Sequence, residues 1–400
     1  YGGLLCDEMG LGKTIQMISL ILGSPLKKTL VILPASLINQ WNTEIKKFAG
    51  EIIEVYVHHQ TKRNFIKFIN PDKKQIVITS YNLIINDNSK FSDFIWDRII
   101  LDECHYIRNS KSIIFQKINN IKSQIKWGIS GTPIQNYVKD LETIFNYLGF
   151  NQLDCKYNLE SLVKDFILRR TKNDVKQYQQ KLDIPKYTVN NVNILIKNTN
   201  EKNLYLDIDS YDFTPLESIL RKKQVAILPQ LFLNGMDNKT KTKSSPWQFT
   251  NTKYNYMINY IQKNYFDDEH KIIIFTTFKY EIQYLIRKFN SKKIDCKYID
   301  GSIPMDERDE IINDKDNKIL IIQIVCGGTG LNLQHYNIAF FTSPTWNPSL
   351  EDQAIARLHR IGQTKNVIIH RLLVHKTIDR YIDNIQKVKR LVIDKYIKSN

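Results

Sequence analysis

The chain has 400 residues, 42% of them hydrophobic and 11% aromatic, enough for two or three domains with buried cores. Its 57 Lys and Arg against 41 Asp and Glu give a formal charge of +16, which suits a polyanionic partner such as nucleic acid, although a lysine-rich composition from AT-rich coding sequence gives the same balance. The five cysteines (Cys6, Cys104, Cys155, Cys296, Cys326) form no CxxC pair and no apolar stretch is long enough to span a bilayer, so zinc, a disulfide framework and a membrane are not expected, and a reducing compartment is.

In chain order, short β-branched runs alternate with amphipathic stretches. The first half has "TLVILP" (29–34), "QIVITSY" (75–81), "RIILDE" (98–103) and "KWGISGT" (126–132). The second has "KIIIFTTF" (271–278), "CKYIDGS" (296–302), "KILIIQIVC" (318–326), "IAFFTSP" (338–344) and "VIIHRLL" (367–373). Runs this apolar are buried on both faces, as in parallel sheets with crossover helices. The pattern occurs twice and predicts an α/β chain of two lobes, over 1–136 and 251–376. Between them, "VKDLETIFNYLGF" and "LESLVKDFILRRTKNDVKQYQQKL" predict a helical region over 137–250 that closes on a polar loop, 234–251. After 376, "KTIDRYIDNIQKVKRLVIDKYIK" predicts a terminal helix within 377–400.

The stretch "LLCDEMGLGKTIQ" (4–16) is nearly a phosphate-binding loop, with Asp7 where the first glycine of the usual pattern would stand. Gly10 and Gly12 leave room for backbone N–H groups to wrap phosphates, Lys13 reaches the β- and γ-phosphates, and the Thr14 hydroxyl binds Mg²⁺. "LDECHYIRN" (101–109) follows an apolar strand. Asp102 supplies the carboxylate that Mg²⁺ prefers, and Glu103 orients or deprotonates the attacking water. In "EDQAIARLHRIGQ" (351–363), Gln353, Arg357 and Arg360 recur at i, i+4, i+7 and predict one helical face with two arginines for a γ-phosphate. His359 lies off that face, without a second ligand nearby, and predicts no metal. Cys104 reads as small buried filler.

Taken in order, "DEMGLGKTIQ", "ILPASLINQW", "DECHYIRN", "SGTPIQN", "FILRRTK", "IDGS", "GGTGLNL", "WNPSLEDQ" and "ARLHRIGQ" resemble the motif series of the Swi/Snf family, helicase-like ATPases of superfamily 2. The match covers nearly the whole chain, and this family writes its loop with Asp-Glu-Met ahead of Gly-x-Gly-Lys-Thr. The resemblance implies two RecA-like lobes closing on ATP and translocation along double-stranded DNA without strand separation. It implies a nucleotide-binding set of Asp7, Gly10, Leu11, Gly12, Lys13, Thr14 and Gln353, with Mg²⁺ on Thr14 and Asp102. Lys13, Glu103 and the arginine fingers Arg357 and Arg360 are the implied catalytic residues. Ser130, Gly131 and Thr132 are the implied link from hydrolysis to lobe movement, and Arg169 and Arg170 are expected to steady the closed form. Pro34, Ser36, Thr79, Ser80, Gly328, Thr329 and Asn332 are the implied contacts to the DNA backbone.

Cys6 and Cys104 replace commoner alanines of the family, and Ala356 replaces a frequent aspartate. The "IRN" after the acidic pair and the ending "TIDRYIDNIQKVKR" are closest to the repair-type branch, here without its RING insert. Nucleosomes or other DNA-bound proteins are the implied partners, and the nucleus, or the virion or viral factory of a large DNA virus, the implied location. Two other readings stand beside a DNA translocase. One is a viral-type nucleoside triphosphatase acting with RNA polymerase, the other a catalytically silent DNA-binding scaffold. The chain opens at Tyr1 rather than Met, so a native front end carrying the family's adenine-covering residues is expected to be missing. Weak ATP binding, hardly distinguished from GTP, is the expected consequence.

Overall fold

The computed structural model describes residues 2–59, 72–86, 88–135, 137–176, 185–241, 245–267, 269–314, 316–327, 331–360 and 362–397. The backbone divides into two units, Tyr1–Asp183 with Lys389–Asn400, and Ile184–Val388. Each is built on an all-parallel sheet.

In the first unit, β1 (Gly3–Leu5), β2 (Lys28–Leu33), β3 (Ile53–His58), β4 (Lys74–Ser80), β5 (Trp96–Asp102), β6 (Ser123–Ile129) and β7 (Ile167–Leu168) lie in the order β3-β4-β2-β5-β6-β1-β7. Side chains alternate across the sheet. Leu30 and Ile32 of β2 join Val77, Ile99 and Leu101 in one core layer. Val31 and Leu33 join Ile76, Ile78 and Ile100 in the other. Two helices cover this second layer: Lys13–Gly23 through Met17, Ile18 and Ile21, and Ile38–Ala49 through Ile38, Trp41, Ile45 and Ala49. Each such aliphatic side chain contributes about 1.5–3 kcal/mol when fully buried, so the strand runs define this core.

In the second unit, β8 (Tyr187–Ile194), β9 (Ile272–Thr276), β10 (Lys297–Ile299), β11 (Ile319–Gln323), β12 (Ile338–Phe341) and β13 (Val367–Val374) lie in the order β10-β11-β9-β12-β13-β8. The same alternation puts Ile272, Ile274, Ile319 and Ile321 in one layer and Ile273, Phe275, Leu320 and Ile322 in the other.

All nine expected strand runs contain a strand, and four strands were not anticipated: β1, β3, β7 and β8. The stretch 137–250 is shared between the units, which part at Asp183 and Ile184. Within it, the expected long helix over "LESLVKDFILRRTKNDVKQYQQKL" is broken: Leu159–Phe166 is helical, Ile167–Leu168 joins the sheet beside β1, and Lys172–Lys176 is a short helix. Its last residues, from 177, lie outside the described residues. The pull of the sheet edge on the apolar pair Ile167 and Leu168 outweighs the helical period there. The loop expected from 234 begins later, because the helix Pro229–Thr240 continues through it. The terminal helix is Ile378–Tyr396.

One ion pair of the second unit has no exposed surface. Lys253 and Asp379 meet at 2.7 Å, each with a side chain 0% exposed. Lys253 Nζ also donates to the Thr342 carbonyl at 2.8 Å, and Asp379 accepts from the Val374 N–H at 3.0 Å. Removing one partner leaves a buried charge unmatched, at a cost of about 3–5 kcal/mol. Lys253→Met should therefore lower the urea midpoint of the second unit markedly, and Lys253→Met with Asp379→Leu should recover much of the loss. Denaturation followed by circular dichroism measures both, and a single variant as stable as the wild type would contradict this reading of the pair.

Candidate functional site

Parallel strands send the loops that follow them to a single sheet edge, and in the first unit the motif residues gather there. Gly10 and Gly12 have φ of 93° and 72°, a left-handed backbone that glycine adopts without a Cβ penalty. Gly12 caps the helix Lys13–Gly23 without any side-chain hydrogen bond, which leaves the first-turn N–H groups to an anion. Lys13 Nζ donates to the carbonyls of Asp7 at 2.8 Å and Glu8 at 3.3 Å. Burial lowers its pKa, while Glu103 and Asp102 favour the charged form. Two neutral carbonyls thus occupy two of the three ammonium donors, which phosphate oxygens could take in their place.

Asp102 ends β5, and its carboxylate is held from two sides. Oδ2 accepts from the Trp41 indole at 2.7 Å and Oδ1 from the Glu103 N–H at 2.9 Å. The Tyr81 hydroxyl donates to the Asp102 carbonyl at 2.8 Å. Burial, and then the neighbouring Glu103 charge, push the Asp102 carboxyl up to about 6 against the pull of these hydrogen bonds and of Lys13. Two crowded carboxylates of this kind fit a divalent cation, whose charge would relieve the crowding. Glu103 has φ 52°, a left-handed conformation that costs a non-glycine residue about 1–2 kcal/mol. Its Oε2 lies 3.2 Å from His105 Nδ1 and 3.5 Å from Ser130 Oγ.

The stretch Ser130–Thr132 packs directly on the loop. A Cβ at Gly131 would come within 2.8 Å of Met9 Cγ and 3.5 Å of Lys13 Nζ. Ser130 Oγ accepts from the Thr132 N–H at 3.2 Å, and the buried Thr132 Oγ1 has no hydrogen-bond partner among the described residues. Lys13, Thr14, Asp102, Glu103 and Ser130–Thr132 are therefore carried on one edge of one sheet. Uncapped N–H groups, a half-buried ammonium, paired carboxylates and an orphaned hydroxyl fit a nucleoside triphosphate with a divalent cation.

Asp7 has a different place from the rest of the loop. Both its oxygens are engaged by Arg170, with Nη2 at 2.5 Å and Nε at 3.1 Å, and Gln16 adds a bond at 3.0 Å. Arg169 Nη1 donates to the carbonyls of Cys6 at 3.0 Å and Gly131 at 3.2 Å. The two arginines following β7 hold the loop from within the first unit, and the Asp7 carboxylate shapes the loop. Trp41, Tyr81 and His105 were not anticipated as functional. Each lies in or beside a motif quoted above, but its contact is fixed only by the fold.

Among the expected DNA contacts, Pro34 and Ser36 are half-buried and Asn332 is exposed. Thr79 and Ser80 are buried instead: Thr79 Oγ1 donates to the His58 carbonyl at 3.2 Å, and Ser80 Oγ accepts from the Leu83 N–H at 3.4 Å. Their hydroxyls are used inside the protein because β4 is an interior strand with a helix following it. Gly328 and Thr329 lie outside the described residues.

In the second unit, Gln353 and Arg357 lie on the helix Pro348–Leu358, but Arg360 does not. The expected single face of three is corrected: His359 leaves helical geometry at φ −95°, ψ 79°. His359 Nε2 lies 2.7 Å from the Pro185 carbonyl, and the Gln363 N–H closes a turn onto the Arg360 carbonyl at 3.0 Å. The helix itself is fixed through Glu351. Its Oε2 accepts from Arg371 Nε at 2.8 Å and its Oε1 from the Thr345 N–H at 2.8 Å and Gln386 at 2.7 Å. Arg371 Nη1 reaches Asp383 Oδ1, also at 2.8 Å.

Residues 1–247 match the SNF2-related domain, and residues 252–362 match the helicase conserved C-terminal domain. The chain belongs to the SNF2-related family. It is 29% identical over 99% of its length to an uncharacterized ATP-dependent helicase of Mycoplasma genitalium, and covers 40% of that protein. It is 28% identical over its whole length to the putative ATP-dependent helicase/translocase YwqA of Bacillus subtilis, and covers 47% of it. The chain thus spans less than half the length of these curated relatives. A solved structure, the Sulfolobus solfataricus SWI2/SNF2 ATPase core in complex with dsDNA, is similar at 28% identity and a TM-score of 0.42, over 100% of this chain and 89% of that one. It thus carries an SNF2-related domain followed by a helicase C-terminal domain, and the relatives that it resembles are named as ATP-dependent helicases.

Trp41→Phe keeps an aromatic ring in the core and removes the hydrogen bond to Asp102. Loss of such a support to a metal-binding carboxylate lowers activity by roughly 10–100-fold. ATP turnover of this variant should fall in that range while its circular dichroism spectrum and thermal midpoint stay near wild type. A wild-type rate would mean that Asp102 needs no help from Trp41.

Proposed function

We propose that the chain hydrolyses ATP to move along double-stranded DNA and so displaces or remodels proteins bound there. One observation carries the chemical half of this reading: Lys13, the Asp102–Glu103 pair and Ser130–Thr132 share one sheet edge of the first unit. When bound, the triphosphate with its Mg²⁺ supplies the electrophilic phosphorus. Thr14 and Asp102 would hold the cation, and Gly10, Leu11, Gly12 and Lys13 would hold phosphate oxygens. Glu103, kept in place by His105 and Ser130, orients the attacking water and takes its proton. Arg357 and Arg360 of the second unit stabilise the charge that spreads over the transferred phosphoryl group. Gln353, half-buried on the helix that carries Arg357, belongs to the same nucleotide-binding set.

The DNA half of the proposal is supported by the net charge of +16 and by the translocase named among the relatives. Pro34, Ser36 and Asn332 contact the sugar–phosphate backbone, with Gly328 and Thr329 assigned to it by their motif. Nucleosomes and other DNA-bound proteins are the partners that such movement would act on.

ATP turnover should be highest with duplex DNA, lower with single-stranded DNA or RNA, and should fall steeply with salt as backbone contacts are screened. Rates measured side by side without nucleic acid and with each of the three decide this. A preference for RNA would instead favour an enzyme acting with RNA polymerase.

Glu103→Gln leaves Asp102 intact, so it should abolish turnover yet retain bound ATP in a filter-binding assay. Turnover near the wild-type rate would remove Glu103 from its role. Arg360→Ala should keep ATP affinity and lose roughly 10³-fold or more in kcat. A variant that loses affinity at full maximal rate would make Arg360 a ground-state ligand instead.

A further inference from the structure

The sheet of the second unit ends on β8, which pairs with β13 alone. The Lys186 and Ile194 carbonyls accept from the N–H groups of Val367 and His375, so the even-numbered residues of β8 face β13. By the alternation of a parallel ladder, the main-chain N–H and C=O groups of Val189, Asn191 and Asn193 point off the sheet. No further strand of the described residues pairs there. Exposed edges are usually blunted by proline, a charged residue or a bulge. β8, with the sequence YTVNNVNI, has no proline and no charge, and Val189 is 43% exposed. Its shape is also fixed in advance, because Arg371 and Arg380 donate to the side chains of Asn191 and Asn193.

Beside this edge runs a groove of about 800 Å³. Ile194 and Leu195 line one side, and the helix Thr252–Asn264 lines the other. That helix buries Tyr254, Met257, Ile258 and Ile261 in the core and turns Asn255, Tyr256, Asn259, Tyr260 and Lys263 to the groove. Lys197 and Lys263 are the charged residues of the lining, which contains no Asp or Glu.

We propose that this edge binds an extended acidic peptide of a partner protein as an added strand. The main chain of the peptide pairs with the outward groups of Val189, Asn191 and Asn193, which gives affinity without regard to sequence. Alternate side chains of an added strand point to opposite faces, so one set falls into the groove. Apolar members of that set rest on Leu195 and the Tyr256 ring, and acidic ones meet Lys197 and Lys263. Asn255 and Asn259 offer both donors and acceptors along the same wall. A single-stranded nucleic acid fits less well, because it cannot match the repeating N–H and C=O groups of a strand edge. Stacking would also rest on one ring, since Tyr260 lies under Tyr256 at 5.8 Å and packs on Tyr265 and His370.

The probe is a fluorescent peptide of 8 residues, the length of β8, with the repeat Glu-Ser-Val-Ser, so that one face of the strand carries both glutamate and valine. Fluorescence anisotropy against the full chain compares it with the same peptide N-methylated at alternate residues, and with an oligothymidylate of equal length. The acidic peptide should bind, and N-methylation should weaken it at least about tenfold through the lost ladder bonds. Val189→Pro removes an outward N–H while leaving the pairing with β13, and should weaken binding to a similar degree with ATP turnover unchanged. Lys263→Glu, on the exposed helix face, tests the same site independently should Val189→Pro misfold, and should also lose about tenfold or more. No binding of the acidic peptide, equal binding of the N-methylated one, indifference to Lys263→Glu, or preference for the oligothymidylate would each overturn the proposal.

Discussion

A parallel sheet buried on both faces is the constraint on which the rest of this protein depends. Its strands must all run one way, so each loop that follows a strand opens at the same edge. In the first unit that edge receives the Gly10–Thr14 loop after β1, the Asp102–Glu103 pair at the end of β5 and Ser130–Thr132 after β6. Residues more than a hundred positions apart become neighbours through strand pairing, and Arg169 ties the Cys6 and Gly131 carbonyls together across it. Leu30 to Leu33, Ile76 to Ile78 and Ile99 to Leu101 do the placing by alternating between two core layers. The chemistry rides on hydrophobic pairing.

Within that frame, the site is held under electrostatic tension. Lys13 is half-buried and turned onto its own loop carbonyls, and Asp102 is pushed up to about 6 by burial and by Glu103. Glu103 also sits in a left-handed backbone, a conformation that persists only where the surroundings enforce it. A triphosphate and a divalent cation would answer these demands together: anionic oxygens for the lysine and the helix N-terminus, positive charge for the carboxylates. Arg170 on Asp7 and Trp41 on Asp102 keep the apparatus in shape. In the second unit, Arg371 does the same for the helix of Gln353 and Arg357 through Glu351.

The legible part of this structure in the sequence was the part where chemistry dictates residue types at short spacing. Gly-Lys-Thr, the acidic pair and the strand runs are of that kind, and so is the α/β class with two lobes. Other features have no local signature. The Trp41–Asp102 bond joins residues 61 apart, and the Arg170–Asp7 pair residues 163 apart, so each is a product of topology. β8 is polar and mostly exposed, so it lacks the apolar run by which interior strands are found. The helical spacing of Arg360 suggested a shared face, but His359 bends the chain one residue earlier, toward Pro185. Thr79 and Ser80 have the residue types of backbone contacts, and only the fold shows that their hydroxyls are bonded inside.

The central claim is that hydrolysis at the first unit's sheet edge drives movement along duplex DNA. Displacement of a third strand from a DNA triplex tests it most directly, because the strand is released only by something travelling along the duplex beneath it. The account predicts ATP-dependent release of the third strand, with a forked duplex of the same sequence left paired. Unwinding of the fork, or an intact triplex while ATP is consumed, would contradict it.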